Sequence, residues 1–162
     1  MDTPRSLIAI VLALTIATHA QAALLKGREA YLKGDFATAL KELTPPAEQG
    51  EPLAQYYLGR MYQFGLGVPK DVARGVELLG RAAEGGNKDA QYYYGIALAL
   101  GEGTRKDLTE GLKWMYIAVL MGNRQAEEGL RKLRMPREVF AEAQKAAAKW
   151  HYAFQEKNKD RK

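Results

Sequence analysis

The chain has 162 residues, 24 Lys and Arg against 19 Asp and Glu, a net charge of +5 and no cysteine. The missing thiols exclude disulfides, a lipid-modified N-terminal cysteine and thiolate metal sites. Residues 23–130 carry 13 basic and 14 acidic side chains and residues 131–162 carry 10 and 4, so the basicity belongs to the C-terminal end.

Residues 1–22 read as an export signal. Arg5 supplies a positive start, Leu7 to Thr18 form an uncharged run of 12 residues, and Ala20-Gln21-Ala22 places small residues at a cleavage point. A membrane span needs about 20 apolar residues, so this run is too short for a permanent anchor. The expectation is a mature chain that begins at Ala23, is periplasmic or secreted, and has no permanent span after cleavage.

Residues 23–135 read as one repeat domain. Ala54-Gln55-Tyr56-Tyr57-Leu58-Gly59 recurs as Ala90-Gln91-Tyr92-Tyr93-Tyr94-Gly95, an offset of 36. The same offset carries Gly65, Gly67, Asp71, Gly75, Gly86 and Asn87 onto Gly101, Gly103, Asp107, Gly111, Gly122 and Asn123. The leading unit is shorter, because residues 27–33 run directly into Gly34-Asp35-Phe36.

Each unit divides into two helices. Helix A runs from about Ala54 to Phe64 and again from about Ala90 to Leu100, burying Ala54, Tyr57, Leu58 and Met61, then Ala90, Tyr93, Tyr94 and Ala97, at helical spacing. Gly65, Gly67, Gly101 and Gly103 stop it by allowing backbone angles that a Cβ penalises. Asp71 and Asp107 are placed to cap helix B, and Asp107 with Glu110 has the spacing of a capping box. Helix B carries Val72, Val76, Leu79 and Ala83, then Leu108, Leu112, Met115 and Val119. The stripe occurs earlier as Phe36, Leu40, Leu43 and Ala47. Gly86 and Gly122 suit the left-handed position beyond helix B.

Pro45 and Pro46 are expected to kink or shorten the leading helix B near Leu43. The trailing unit places Ala126, Leu130 and Leu133 on its first helix. Pro136 then opens a capping helix over residues 136–156, whose stripe of Phe140, Ala143, Ala147, Trp150 and Phe154 can cover the end of the stack. Residues 157–162 form a basic tail. The predicted fold is all-α: a right-handed α-solenoid of stacked antiparallel helix pairs with a C-terminal capping helix.

Ala-Gln-Tyr-x-x-Gly, Gly-x-Gly-x-x-x-Asp and Ala-Ala-Glu-x-Gly, at residues 54–59, 65–71 and 82–86, resemble the Sel-1-like repeats, tetratricopeptide-like scaffolds that bind other proteins. The resemblance implies binding by a surface and names no partner. Some exported relatives are immunity proteins for toxic effectors, and others staple each helix pair with a disulfide and are linked to penicillin binding or β-lactamase activity. The absent cysteines separate this chain from the second group. Gly75 and Gly111 depart from the family pattern and cost about 1 kcal/mol each relative to Ala inside a helix. Close helix packing is the expected compensation.

Chemistry of its own is not expected. Ser6 is the one serine and lies in the signal, and His151 is the one histidine beyond it, so serine and cysteine nucleophilic sites are excluded and no metal set is apparent. The Gly-x-Gly segments lack the strand and the Gly-Lys-Ser/Thr of a phosphate loop, and read as turns. Glu127-Glu128 reads as a solvated helix start, and Trp114 as a core contact. No catalytic, cofactor or metal residue is assigned.

The assigned residues concern partners. Tyr56 and Tyr92 lie off the main stripe with Gln55, Arg60, Gln63 and Gln91, on the first helices that line the concave face of such stacks. They either anchor a protein partner or pack between repeats. The leading reading is a periplasmic adaptor or inhibitor. The alternative is an envelope-binding module in which Arg131, Lys132, Arg134, Arg137, Lys145 and Lys149 meet an anionic surface. A cell-wall enzyme is the remote third, and nucleic acid is not expected for an exported chain.

Overall fold

The computed structural model describes residues 20–134 and 136–159, and the greater part of the proposed signal lies outside them. These residues form eight helices and no strand: α1 (20–33), α2 (Phe36–Glu48), α3 (Pro52–Phe64), α4 (Val72–Glu84), α5 (Lys88–Leu100), α6 (Leu108–Leu120), α7 (Arg124–Lys132) and α8 (Arg137–Lys157). Odd-numbered helices up to α7 are the first members of their pairs. α2, α4 and α6 are the second members, each packed against the helices before and after it, giving an α-solenoid.

The repeat holds at the level of single bonds. Asp71 and Asp107 cap α4 and α6 by accepting from the N–H groups of Arg74 and Glu110, at 3.0 and 2.9 Å. The first helices have caps of their own: Asn87 accepts from Ala90 and Asn123 from Ala126, both at 2.8 Å. Pro52 occupies the first turn of α3, where its missing N–H costs nothing. The reciprocal half of the Asp107–Glu110 box is not made, because the Glu110 carboxylate accepts from Trp114 Nε1 at 3.0 Å and pairs with Lys113.

Glycine sets the spacing within each pair. A Cβ on Gly75 would lie 2.7 Å from the Gly59 carbonyl oxygen, and one on Gly111 would lie 2.6 Å from that of Gly95. The helices therefore touch backbone to backbone, which explains two residues of poor helix propensity in the second helices. Gly67 and Gly103, at φ +69° and +67°, let each interhelix loop sit on the start of the preceding second helix, against Phe36 and Val72.

Two expectations are corrected. α2 is not shortened near Leu43 but continues through Pro45 and Pro46 to Glu48. The prolines deprive only the Lys41 and Glu42 carbonyls of helical donors, within the last turns, while Pro46 and Ala47 are buried and the Thr44 hydroxyl donates to the Leu40 carbonyl at 2.7 Å. Leu133 lies just beyond α7, 40% exposed, where the backbone has turned extended at φ −74° and ψ 131°.

The core forms three clusters joined by tyrosines. Tyr56 packs against both the first, built around Leu43, Leu58 and Met61, and the second, built around Leu79, Leu98 and Ile117. Tyr116 joins the second to the third, around Leu112, Met115 and Leu130. α8 lies along α6, with Ala143 and Ala147 fully buried. Trp150 meets Trp114 edge to face at 5.3 Å, Phe154 stacks on Trp150 at 4.8 Å, and the Phe154 ring fills the space beside Gly86. α8 thus reaches back to the α4–α5 turn and does more than cover the end of the last repeat.

Candidate protein-binding face

The first helices place a row of aromatic rings side by side. Tyr31 of α1 lies 5.8 Å from Phe36 and 4.8 Å from Tyr57 of α3. Tyr57 lies 5.1 Å from Tyr56, Tyr56 stacks on Tyr93 of α5 at 6.2 Å, and Tyr93 lies 5.1 Å from Tyr92. The row crosses three first helices because residues 56–57 and 92–93 occupy equivalent turns of parallel repeats. Tyr57 is buried, whereas Tyr31, Tyr56, Tyr92 and Tyr93 are partly exposed.

Arg60 lies over this row. Its guanidinium is 3.8 Å from the Tyr93 ring centroid and 4.5 Å from that of Phe64, and it donates to Gln63 Oε1 at 3.3 Å. Arg28 Nε donates to the Tyr57 hydroxyl at 3.3 Å. Phe64 and its repeat equivalent Leu100 add exposed apolar surface at 56% and 60%.

The phenols are desolvated. Burial raises the pKa of Tyr31, Tyr56, Tyr92 and Tyr94 above the ordinary phenol value, and Tyr56 most strongly. Arg60 opposes the rise at Tyr31 and Tyr56. Asp89 adds to it at Tyr56 and Glu128 adds to it at Tyr92. Arg28 and Arg60 thus bring positive charge to the face from α1 and α3, and Asp89 and Glu128 bring negative charge to Tyr56 and Tyr92 from α5 and α7.

Of the residues assigned to partner contact, Tyr56, Arg60, Gln63 and Tyr92 share this partly exposed face. Gln55 and Gln91 do not. They are buried and their amides donate to the Ala47 and Ala83 carbonyls at 3.1 and 3.2 Å, tying each first helix to the end of the preceding second helix. Their exact repetition with the buried alanines before them marked this framework role. Tyr31, Tyr93, Phe64 and Arg28 belong to the face and were missed: Tyr93 had been given to the core stripe, and Tyr31 and Arg28 lie in the irregular leading unit.

The six basic residues at the C-terminal end are all exposed, and Arg131 is paired with Glu127 at 2.9 Å. Trp114 is buried at the α6–α8 contact. His151 is partly buried, with Nδ1 lacking a hydrogen-bond partner. Among the described residues no cluster of His, Cys, Asp or Glu is composed to hold a metal, and no helix is long and apolar enough to cross a membrane.

Helix-pair repeats at a constant period, with a laterally extended face on the first helices, define an α-solenoid repeat scaffold. The Sel1 repeat family model matches residues 52–87 and 88–123, so the chain contains two Sel1 repeats. A Sel1 repeat protein from Oxalobacter formigenes is similar over 74% of this chain and 36% of its own, with 31% identity and a TM-score of 0.65. A protective antigen present in uropathogenic Escherichia coli strains, displaying an SLR fold, is similar over 85% of this chain and 32% of its own, with 23% identity and a TM-score of 0.69. This chain spans about a third of the length of either. Comparison with curated proteins finds no match. Sel1 repeats are scaffolds typical of protein–protein interaction.

Proposed function

We propose that the chain is an exported adaptor or inhibitor, in the manner of an immunity protein, that holds a segment of a protein partner on the face of α1, α3 and α5. The supporting observation is the aromatic row with Arg60 laid across it. Tyrosine and arginine are the residue types that dominate binding energy at interfaces, because they offer large contact area and oriented donors at low entropy cost. The partner is a protein, and the role is binding without chemistry on a substrate.

Site-specific photocrosslinking in the periplasm tests this. A photoreactive residue at Phe64 or Leu100 should give the same adduct, and one at exposed Glu77 on α4 should give none. Arg60→Ala should weaken capture of that partner by about 1–4 kcal/mol with an unchanged helical spectrum. An adduct formed from Glu77 alone, or undiminished capture by folded Arg60→Ala, would move the site to the second helices.

The exposure of Arg131, Lys132, Arg134, Arg137, Lys145 and Lys149 supports a second reading, attachment to an anionic envelope surface. Such attachment weakens with salt within the Debye screening regime. Envelope association that survives high salt would eliminate it.

A further inference from the structure

We infer that the segment held on the aromatic face carries a carboxylate, an Asp or Glu side chain next to an apolar residue, received between Arg28 and Arg60. This rests on the reading of that face as the binding surface and names the chemistry of its occupant. The neighbouring lysines of α1 have acidic partners: Lys26 pairs with Glu42 at 2.7 Å and Lys33 with Glu29 at 2.5 Å. Arg28 and Arg60 have none among the described residues. Arg28 spends its Nε on the Tyr57 hydroxyl, and Arg60 bonds a neutral amide and stacks on two rings.

Both guanidinium groups are thus positioned by neutral groups, with donors left over and no charge neutralised. Their tyrosine partners, Tyr57 for Arg28 and Tyr93 for Arg60, are each in ring contact with Tyr56, so one aromatic patch lies between the two cations. A carboxylate matches the planar fork of an arginine with two parallel bonds, and the partly desolvated phenols around it strengthen the attraction relative to open water. Tyr92, Phe64 and Leu100 offer apolar contact for the flanking residue. Glu128, which acts on Tyr92 at the other end of the row, disfavours a second carboxylate there.

Selection from a library of short random peptides against the full mature chain tests this, with counter-selection on the folded Arg28→Ala/Arg60→Ala variant. Enriched peptides should contain Asp or Glu beside an aromatic or aliphatic residue. Replacing that acid by its amide, or both arginines by alanine, should lower affinity about tenfold or more. Peptides that lose affinity with Phe64→Ala but carry no acid would overturn this inference and leave the face intact as a binding surface. Peptides indifferent to Phe64→Ala and to both arginines would overturn the inference and the face together. Circular dichroism on each variant separates loss of contact from loss of fold.

Discussion

Glycine is where single residues decide this structure, and two positions make opposite demands. Gly111 lies inside α6, where alanine would gain about 1 kcal/mol in helix propensity. Its Cβ would meet the Gly95 carbonyl oxygen at 2.6 Å and the Ala99 backbone nitrogen at 2.8 Å, neither able to move without shifting a helix. Gly111→Ala should therefore destabilise by about 1–3 kcal/mol, as overpacking does. Gly129 in α7 has its nearest neighbour, Met115 Cε, at 3.4 Å, an ordinary contact with a flexible tip. Gly129→Ala should be neutral or stabilise by up to about 1 kcal/mol. Denaturant melts of the two variants check both signs, and a stabilised Gly111→Ala would refute the backbone contact between α5 and α6.

At the scale of elements, the aromatic row and α8 are the exposed dependencies. Burial raises the pKa of Tyr31, Tyr56, Tyr92 and Tyr94 in the fold, so at alkaline pH the native state holds protons that the unfolded chain releases. Their stabilisation is whole below about pH 10, the unfolded phenol value, and falls as pH rises beyond it. Ultraviolet titration should show part of the tyrosinate signal delayed and rising together with loss of helix. Removing α8 from Pro136 onward uncovers Trp114, Leu112 and Ile117, so the truncated chain should melt earlier or self-associate. An unchanged melting curve with monomeric elution would mean that α8 contributes nothing to the core.

At the scale of the whole molecule, the proposed export signal and the fold meet in α1. Cleavage after Ala22 would remove the first helical residues described but leave Leu24, buried among the residues of the first cluster. The mature chain should therefore fold as the full repeat stack, and intact-mass measurement of periplasmic protein should give a chain beginning at Ala23. Recovery only of chain beginning at Met1, in the membrane fraction, would overturn export with cleavage.

The sequence by itself determined the period, the helix pairs, the left-handed glycines and the aspartate caps. These are local: a glycine at positive φ and a carboxylate at a helix start act through their own turn, and they recur at a constant offset. The shortening expected of Pro45 and Pro46 does not occur because the burial of Pro46 and Ala47 outweighs the local signal, and Leu133 falls one residue beyond α7, where the backbone has already turned extended. The candidate face was half legible. Tyr56 and Tyr92 were found by repetition and Arg60 by lying one turn after Tyr56, yet Gln55 and Gln91 were placed with them, although their amides belong to carbonyls of another helix. Tyr31, Tyr93 and Arg28 were invisible because a face is made across repeats, and which side of a ring stays open depends on the neighbour that covers the other. Only the tertiary structure decided that, since desolvation and cation–ring stacking depend on distances that periodicity within one helix does not contain.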